Sequence, residues 1–241
     1  MIKTLTYCWL ILLPSGLFAQ SKIDQHGAII RSDTSQKKIY LCFTGHDFDD
    51  GFSHVLAVLD SQQVSASFFL TGDFVRSHRA LVQEIAAAGH FVGAHSDKHL
   101  LYCDWRKRDS LLHSPAIIRK DIQDNLLELA ELNIHPDYFM PPFEWHNQAV
   151  VEIAQSLGQL TVNFSPGTYS NADYTTPDLS NYLSSTSILE RIYTYETQNS
   201  MNGFHLLIHP GVNPRRVDKL YLHLTDMILY FRERGYGFAR F

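Results

Sequence analysis

Cysteine is scarce, three residues in 241, so no disulfide framework can hold this fold together. Charge is sparse and slightly acidic, with 20 Lys+Arg against 25 Asp+Glu. No basic run exceeds pairs such as Lys37-Lys38 and Arg215-Arg216, so nucleic acid is not an expected partner. No apolar stretch reaches the ~20 residues of a membrane helix, and no membrane span is expected in the mature chain. A Gly-x-Ser-x-Gly elbow is missing, which removes the usual serine-hydrolase signature. What the chain does have is a core-forming composition, 45% apolar and 12% aromatic, too rich for disorder. It also has 13 histidines, enough to prompt a search for metal or acid–base chemistry.

Lys3 precedes an apolar stretch from Tyr7 to Leu13, broken by Pro14 and closed by Leu17-Phe-Ala-Gln20. This pattern predicts a signal peptide over 1–19, cleavage after Ala19 and a secreted or periplasmic destination. Export leaves Cys42 and Cys103, either as a disulfide or as two buried thiols. Residues 20–37 are polar and aperiodic and read as a mobile lead-in to a single domain over 38–241.

Within that domain, strand and helix patterns alternate. Ile39–Phe43, Ala66–Leu70, His90–Ala94, Leu160–Phe164 and Gly203–Ile208 read as strands covered on both faces. Ser53–Leu59, Arg79–Ala88, Asn147–Leu157 and the stretch opened by Ser114-Pro115 read as helices, the last with a stripe of Ile118, Ile122, Leu126 and Leu129. Pro214 is expected to open the final helix, and 165–185 to form a long loop. The order predicts an α/β fold with about seven parallel strands, either doubly wound or closed into a barrel, and the barrel fits the length. Such folds carry their chemistry just past the C-terminal ends of the strands.

Three segments sit at such positions: Thr44-Gly-His-Asp-Phe-Asp-Asp-Gly51, His95-Ser-Asp-Lys-His99 and His209-Pro-Gly211. Two imidazoles four residues apart, with a carboxylate, suit Zn²⁺ with one position left open. Taken together with Pro141-Pro142-Phe143, the three segments resemble the polysaccharide deacetylase family (carbohydrate esterase family 4) over about residues 38–240. The resemblance implies a distorted (β/α) barrel that removes acetyl groups from an acetylated glycan, N- or O-linked, with a divalent metal, Zn²⁺ above all. It implies Asp50, His95 and His99 as metal ligands and Asp49 as the base. Phe143 becomes the backbone oxyanion donor and His209 the acid.

The chain departs from the family in three places. Met140 stands where the family's Arg holds the base, with Arg106, Lys98 and His146 as possible replacements. The family's Asp-Trp motif has Asp173-Tyr174 as its nearest match. His46 and Asp47 are extra, which makes Asp47 an alternative base and His46 an alternative ligand. Trp145, Tyr169 and Tyr174 are candidate sugar-stacking residues, with Phe143 beside them. The alternative function is a catalytically impaired carbohydrate-binding protein on the same fold.

Overall fold

The computed structural model describes residues 20–241, so the expected signal segment lies outside the described residues. The elements, in chain order, are β1 (Lys22–Ile23), β2 (Ile29–Arg31), β3 (Lys38–Gly45), α1 (Phe52–Ser61), β4 (Ser67–Leu70), α2 (Gly72–Ser77), α3 (Arg79–Ala87) and β5 (Phe91–Ala94). They continue with α4 (Pro115–Ala130), β6 (Tyr138–Phe139), α5 (Gln148–Gln155), β7 (Leu160–Thr161), α6 (Ser185–Gln198), β8 (Phe204–Ile208), α7 (Leu224–Glu233) and β9 (Gly237–Ala239). The sheet runs β1-β2-β8-β3-β4-β5-β6-β7, with β9 added to β3. From β8 to β7 all neighbours are parallel, as buried strands with helical crossovers require. A bridge between Ile29 and Val162 ties the two edges, so the sheet curls into a distorted barrel.

Alternation sorts the core into two parts. On β3, Ile39, Leu41 and Phe43 pack under the helices in the larger cluster. Cys42 and Tyr40 belong to the barrel interior, with Phe69, Met140, Leu207, Val162 and Ile29. The Phe241 ring closes the lower end of that interior, 4.9–5.7 Å from Tyr40, Phe69, Tyr138 and His205. Cys42 and Cys103 are both buried and free, which decides between the two thiol readings.

Helix starts follow the expected capping chemistry. Thr71, Ser114, Asn147 and Ser184 each accept a main-chain N–H three residues on. Two sequence expectations change, and one helix is added. Residues 20–37 are not a bare lead-in, because β1 and β2 lie inside them and β2 pairs antiparallel with β8. The Ala28-Ile29-Ile30 core of that segment is too short to show a period. The last helix begins at Leu224 rather than Pro214, and Val217 is 82% exposed. Finally, 165–185 is followed by α6, whose apolar face, Ile188 and Ile192, is narrow. Among the described residues no helix is long and apolar enough to cross a membrane.

His205 on β8 shows how the closure segment is fixed. Its Nδ1–H donates to the Asn163 carbonyl at 2.7 Å, and Nε2 accepts the Ser32 hydroxyl at 2.9 Å. Both nitrogens are therefore satisfied in the neutral ring. Burial, opposed by the Asn163 hydrogen bond and aided by Arg31, pushes the pKa down to about 4. The unfolded chain then binds a proton here, below about pH 6.5, that the folded chain refuses until about pH 4. Stability is thus complete above pH 6.5 and falls as pH drops through that window. Between pH 7 and 5 the share of the loss due to His205 is about 2 kcal/mol, worth about 4–8 °C in Tm. Thermal melts at the two pH values test this, and the fall in His205→Asn should be smaller than in the wild type by that share, the rest coming from groups such as His95 and His99.

Candidate active site

Strand register brings the site together. Gly45 is paired with Leu70, Leu70 with Ala94, and Ala94 with Phe139, so β3 to β6 end on one level. Phe43 is paired with Ile208, which places the end of β8 beside β3. Residues that point into the barrel on each strand continue into the loops as His46 after Cys42 and Thr44, His95 after Gly93, Met140 after Tyr138, and His209 after Leu207. His46, His95 and His209 line one cavity of about 440 Å³ together with Asp47, His99, Trp105, Phe143, Glu144 and Tyr174.

The His95–His99 loop is clamped from below by α4. Asn125 accepts the His95 main-chain N–H at 2.8 Å and donates to the Leu70 carbonyl at 3.1 Å. Asp121 accepts from the Lys98 N–H at 2.9 Å and the Tyr102 hydroxyl at 2.7 Å. These buried polar residues sit on the same helix face as Ile118 and Ile122, and the apolar stripe alone does not reveal them. His95 Nδ1–H donates to the Met140 carbonyl at 2.8 Å, which leaves its Nε2 lone pair free. Burial lowers the His95 pKa to about 3, against that hydrogen bond. Burial, reinforced by His95, His46 and His209, lowers that of His99 to about 2. Both rings are therefore neutral near pH 7, the form in which imidazole binds metals.

His209 is set up in the opposite sense. Its Nδ1–H donates to Asp173 Oδ1 at 2.6 Å, and its main-chain N–H donates to Asp173 Oδ2 at 2.9 Å. Burial disfavours the charged ring, but the Asp173 carboxylate overcomes it and raises the pKa above the usual histidine value. Asp173, itself 1% exposed, was only the nearest match to a motif in the sequence, and the fold brings it to the acid histidine. Facing this pair is Glu144, half-buried, which burial pushes up to about 7. Phe143 turns at φ 58° beside the cavity, in the left-handed region, and its ring lies 4.4 Å from His99.

Asp49 and Asp50 are not brought to this cavity. β3 extends to Gly45, two residues beyond the apolar run, through its pairing with Leu70, and glycine is needed there because a side chain would meet Leu70 and Phe52 at 2.8 and 2.9 Å. The first inward residue past the strand is therefore His46, and the two aspartates fall on the next turn. There the Phe48 carbonyl presses against Gly211, where even a Cβ would come within 1.7 Å. Asp50 instead meets Lys219 Nζ and the Tyr221 hydroxyl, each at 3.2 Å, and Asp49 lies 3.4 Å from His78. Asp47 is the aspartate of that segment that borders both the cavity and the hollow holding Asp49 and Asp50.

Met140 is wholly buried in the apolar barrel interior. Of its possible replacements, Lys98 is paired with Asp73 and Asp97, and His146 with Asp24. Tyr169 faces Arg191, 4.8 Å away, outside the cavity lining, whereas Tyr174 is within it. Trp145 packs behind Trp105 at 5.2 Å, and Arg108 covers its other side at 3.9 Å. Trp105, 55% exposed at the cavity mouth, was not foreseen, because nothing in its loop sequence marks direction.

Whether these residues suit a metal can be judged from their donors. Neutral imidazoles with free lone pairs beside a carboxylate match a borderline divalent ion, and His46 Nδ1 is buried with no hydrogen-bond partner. In the side-chain positions seen, no three His, Cys, Asp or Glu residues converge on one point among the described residues. Ion binding therefore calls for rotation of the rings.

The family profile described as polysaccharide deacetylase matches residues 31–162, more than half of the chain. A peptidoglycan-N-acetylmuramic acid deacetylase of Bacillus subtilis is 29% identical over 161 residues, covering 63% of this chain and 55% of the relative. A peptidoglycan-N-acetylglucosamine deacetylase of Bacillus cereus is 26% identical over 200 residues, covering 80% and 83%. The chain spans about half the length of several curated relatives that it matches. Among solved structures, that of the B. subtilis PdaA esterase overlays with a TM-score of 0.67 at 23% identity, covering 90% of this chain and 83% of the other. A carbohydrate esterase family 4 pseudoenzyme from Bacillus anthracis overlays with 0.71 at 21%, covering 90% and 68%. These likenesses place the fold.

Proposed function

The chain belongs to the polysaccharide deacetylase family, and from that premise we propose that it hydrolyses acetyl groups from an acetylated glycan, such as peptidoglycan, with a divalent metal, zinc first. What supports the reading is the gathering of His95, His99 and the Asp173-backed His209 around one cavity at the strand ends. His95 and His99 would hold the ion, with a third donor from the end of β3, where His46 and Asp47 stand side by side. Such an ion supplies Lewis acidity toward the acetyl carbonyl and toward water.

The remaining steps fall to the chain's own groups. Asp47, the carboxylate at the cavity lip, takes a proton from the attacking water in place of Asp49. The Phe143 N–H receives the developing oxyanion. His209, whose protonated form Asp173 favours, gives its Nε2 proton to the departing sugar nitrogen or oxygen, and Asp173 holds the ring in the orientation this needs. Place of action would be outside the cytoplasm, following the export segment read in the sequence.

The test is acetate release from N-acetylated glycans, peptidoglycan among them, by purified protein supplied with zinc. Release that depends on the metal supports the proposal. Glycan binding without release from any acetylated polymer would favour the impaired carbohydrate-binding protein instead. Trp105 gives a further expectation. An exposed indole can stack on the apolar face of a sugar, a contact worth about 0.5–1.5 kcal/mol by analogy with aromatic pairs. Trp105→Ala should raise KM about 2- to 10-fold with kcat little changed.

A further inference from the structure

We propose that Glu144 is a specificity-determining residue, one that admits a neutral N-acetylated sugar and turns away a sugar with a carboxylate beside its acetamido group, as in N-acetylmuramic acid. This rests on the hydrolase reading above and narrows its substrate class. Phe143 and Glu144 follow one another at φ 58° and 51°, a left-handed pair that side chains disfavour, and both line the cavity. Asn163 fastens the turn, donating from Nδ2 to the Glu144 carbonyl at 2.7 Å, and the Glu144 N–H donates to the Pro141 carbonyl at 3.0 Å. Among the described residues no hydrogen bond engages the Glu144 carboxyl.

His209 and Asp173 act on that carboxyl from the far side of the cavity, with Tyr174 next to Asp173. Asp47, His46, His95 and His99 complete the titratable lining. Because His209 hands its proton to the departing sugar atom, the sugar ring rather than the acetyl group is what meets Glu144. No lysine or arginine lines the cavity. Lys98 is taken by Asp73 and Asp97, Lys219 by Asp50, and Arg216 by the Thr175 and Leu183 carbonyls. Arg106 and Lys107 are exposed outside the lining, and His209 is already paired with Asp173. A carboxylate on the sugar would thus face Glu144 and Asp47 with no side-chain cation left to pair with, in a space where partial burial strengthens repulsion. A hydroxyl or an N–H in the same place finds a free acceptor.

The test compares acetate release, as kcat/KM, from two forms of peptide-free glycan strand. In one the muramic units carry a free lactyl carboxylate, and in the other that group is capped as the methyl amide. Assays run at pH 8, where the Glu144 carboxyl, raised to about 7 by burial, is ionised. Wild-type protein should favour the capped strands about tenfold, and Glu144→Gln should bring the two within about twofold. Should Glu144→Gln fail to fold, Glu144→Asn serves, since asparagine accepts the left-handed backbone more readily. Equal release from both strands by the wild type, or an unchanged ratio in a folded variant, overturns the assignment. Binding of the two strands, read from tryptophan fluorescence, separates this from the hydrolase reading. Charge-dependent binding that Glu144 controls, without acetate release from any glycan, removes the hydrolase reading and leaves the selection standing. Release indifferent to the carboxylate does the reverse.

Discussion

Asp173→Asn is expected to lower acetate release about 10²- to 10⁴-fold with little change in KM. Asp173 accepts both the Nδ1–H and the main-chain N–H of His209, so it fixes the ring's position and its tautomer together. An amide cannot stabilise the imidazolium as a carboxylate does. Burial, then opposed by Glu144 alone, would draw the His209 pKa down from where the Asp173 carboxylate had held it. The amide NH₂ can also donate to Nδ1, which would move the ring proton to Nε2 in the neutral form. The limb of the pH–rate profile that reports the protonated acid should therefore move to lower pH. Acetate assays across pH, with an NMR titration of His209, measure both effects. A variant that keeps its full kcat would show that His209 is not the acid.

The second large effect is expected at the histidine loop. His95→Ala and His99→Ala should each reduce acetate release by about 10³-fold or more and lower zinc uptake to background, since each removes a proposed ligand. Chelation of the wild-type protein should have the same result, reversed by added zinc. Because both rings are neutral and buried, their removal need not destabilise the metal-free fold beyond the cavity left behind. Melting curves without metal would separate this from misfolding. Persistent release after either change would exclude the metal-assisted mechanism.

Much of the barrel was readable because buried parallel strands announce themselves as apolar runs between helix signals. Strand ends were harder. The Ile39–Phe43 run stopped two residues early, since Thr44 and Gly45 are not apolar, and the motif match at Phe48-Asp49-Asp50-Gly51 gave no sign that the loop turns both aspartates away from the cavity. Carrying the alternation of Tyr40 and Cys42 forward through Thr44 would have reached His46. Asp173 was visible in the sequence only as the nearest match to a motif, and its pairing with His209 needed the tertiary structure, because 36 positions and a whole helix separate the two. Val217 and Leu220 fit a helical face by spacing, yet the final helix starts later, because spacing alone does not distinguish a helix from an extended loop.

The bridge from Ile29 to Val162 and the pairing of Arg31 with Phe204 join residues that lie far apart along the polypeptide. During synthesis the first of these strands leaves the ribosome long before its partners exist. Contacts of such separation form slowly and late, so the barrel remains an open ribbon with two unsatisfied edges until nearly the whole chain has emerged. The His205 hydrogen bonds that fasten this seam therefore belong to the final stage of folding, and an unfinished chain has no closed rim on which to assemble its histidines.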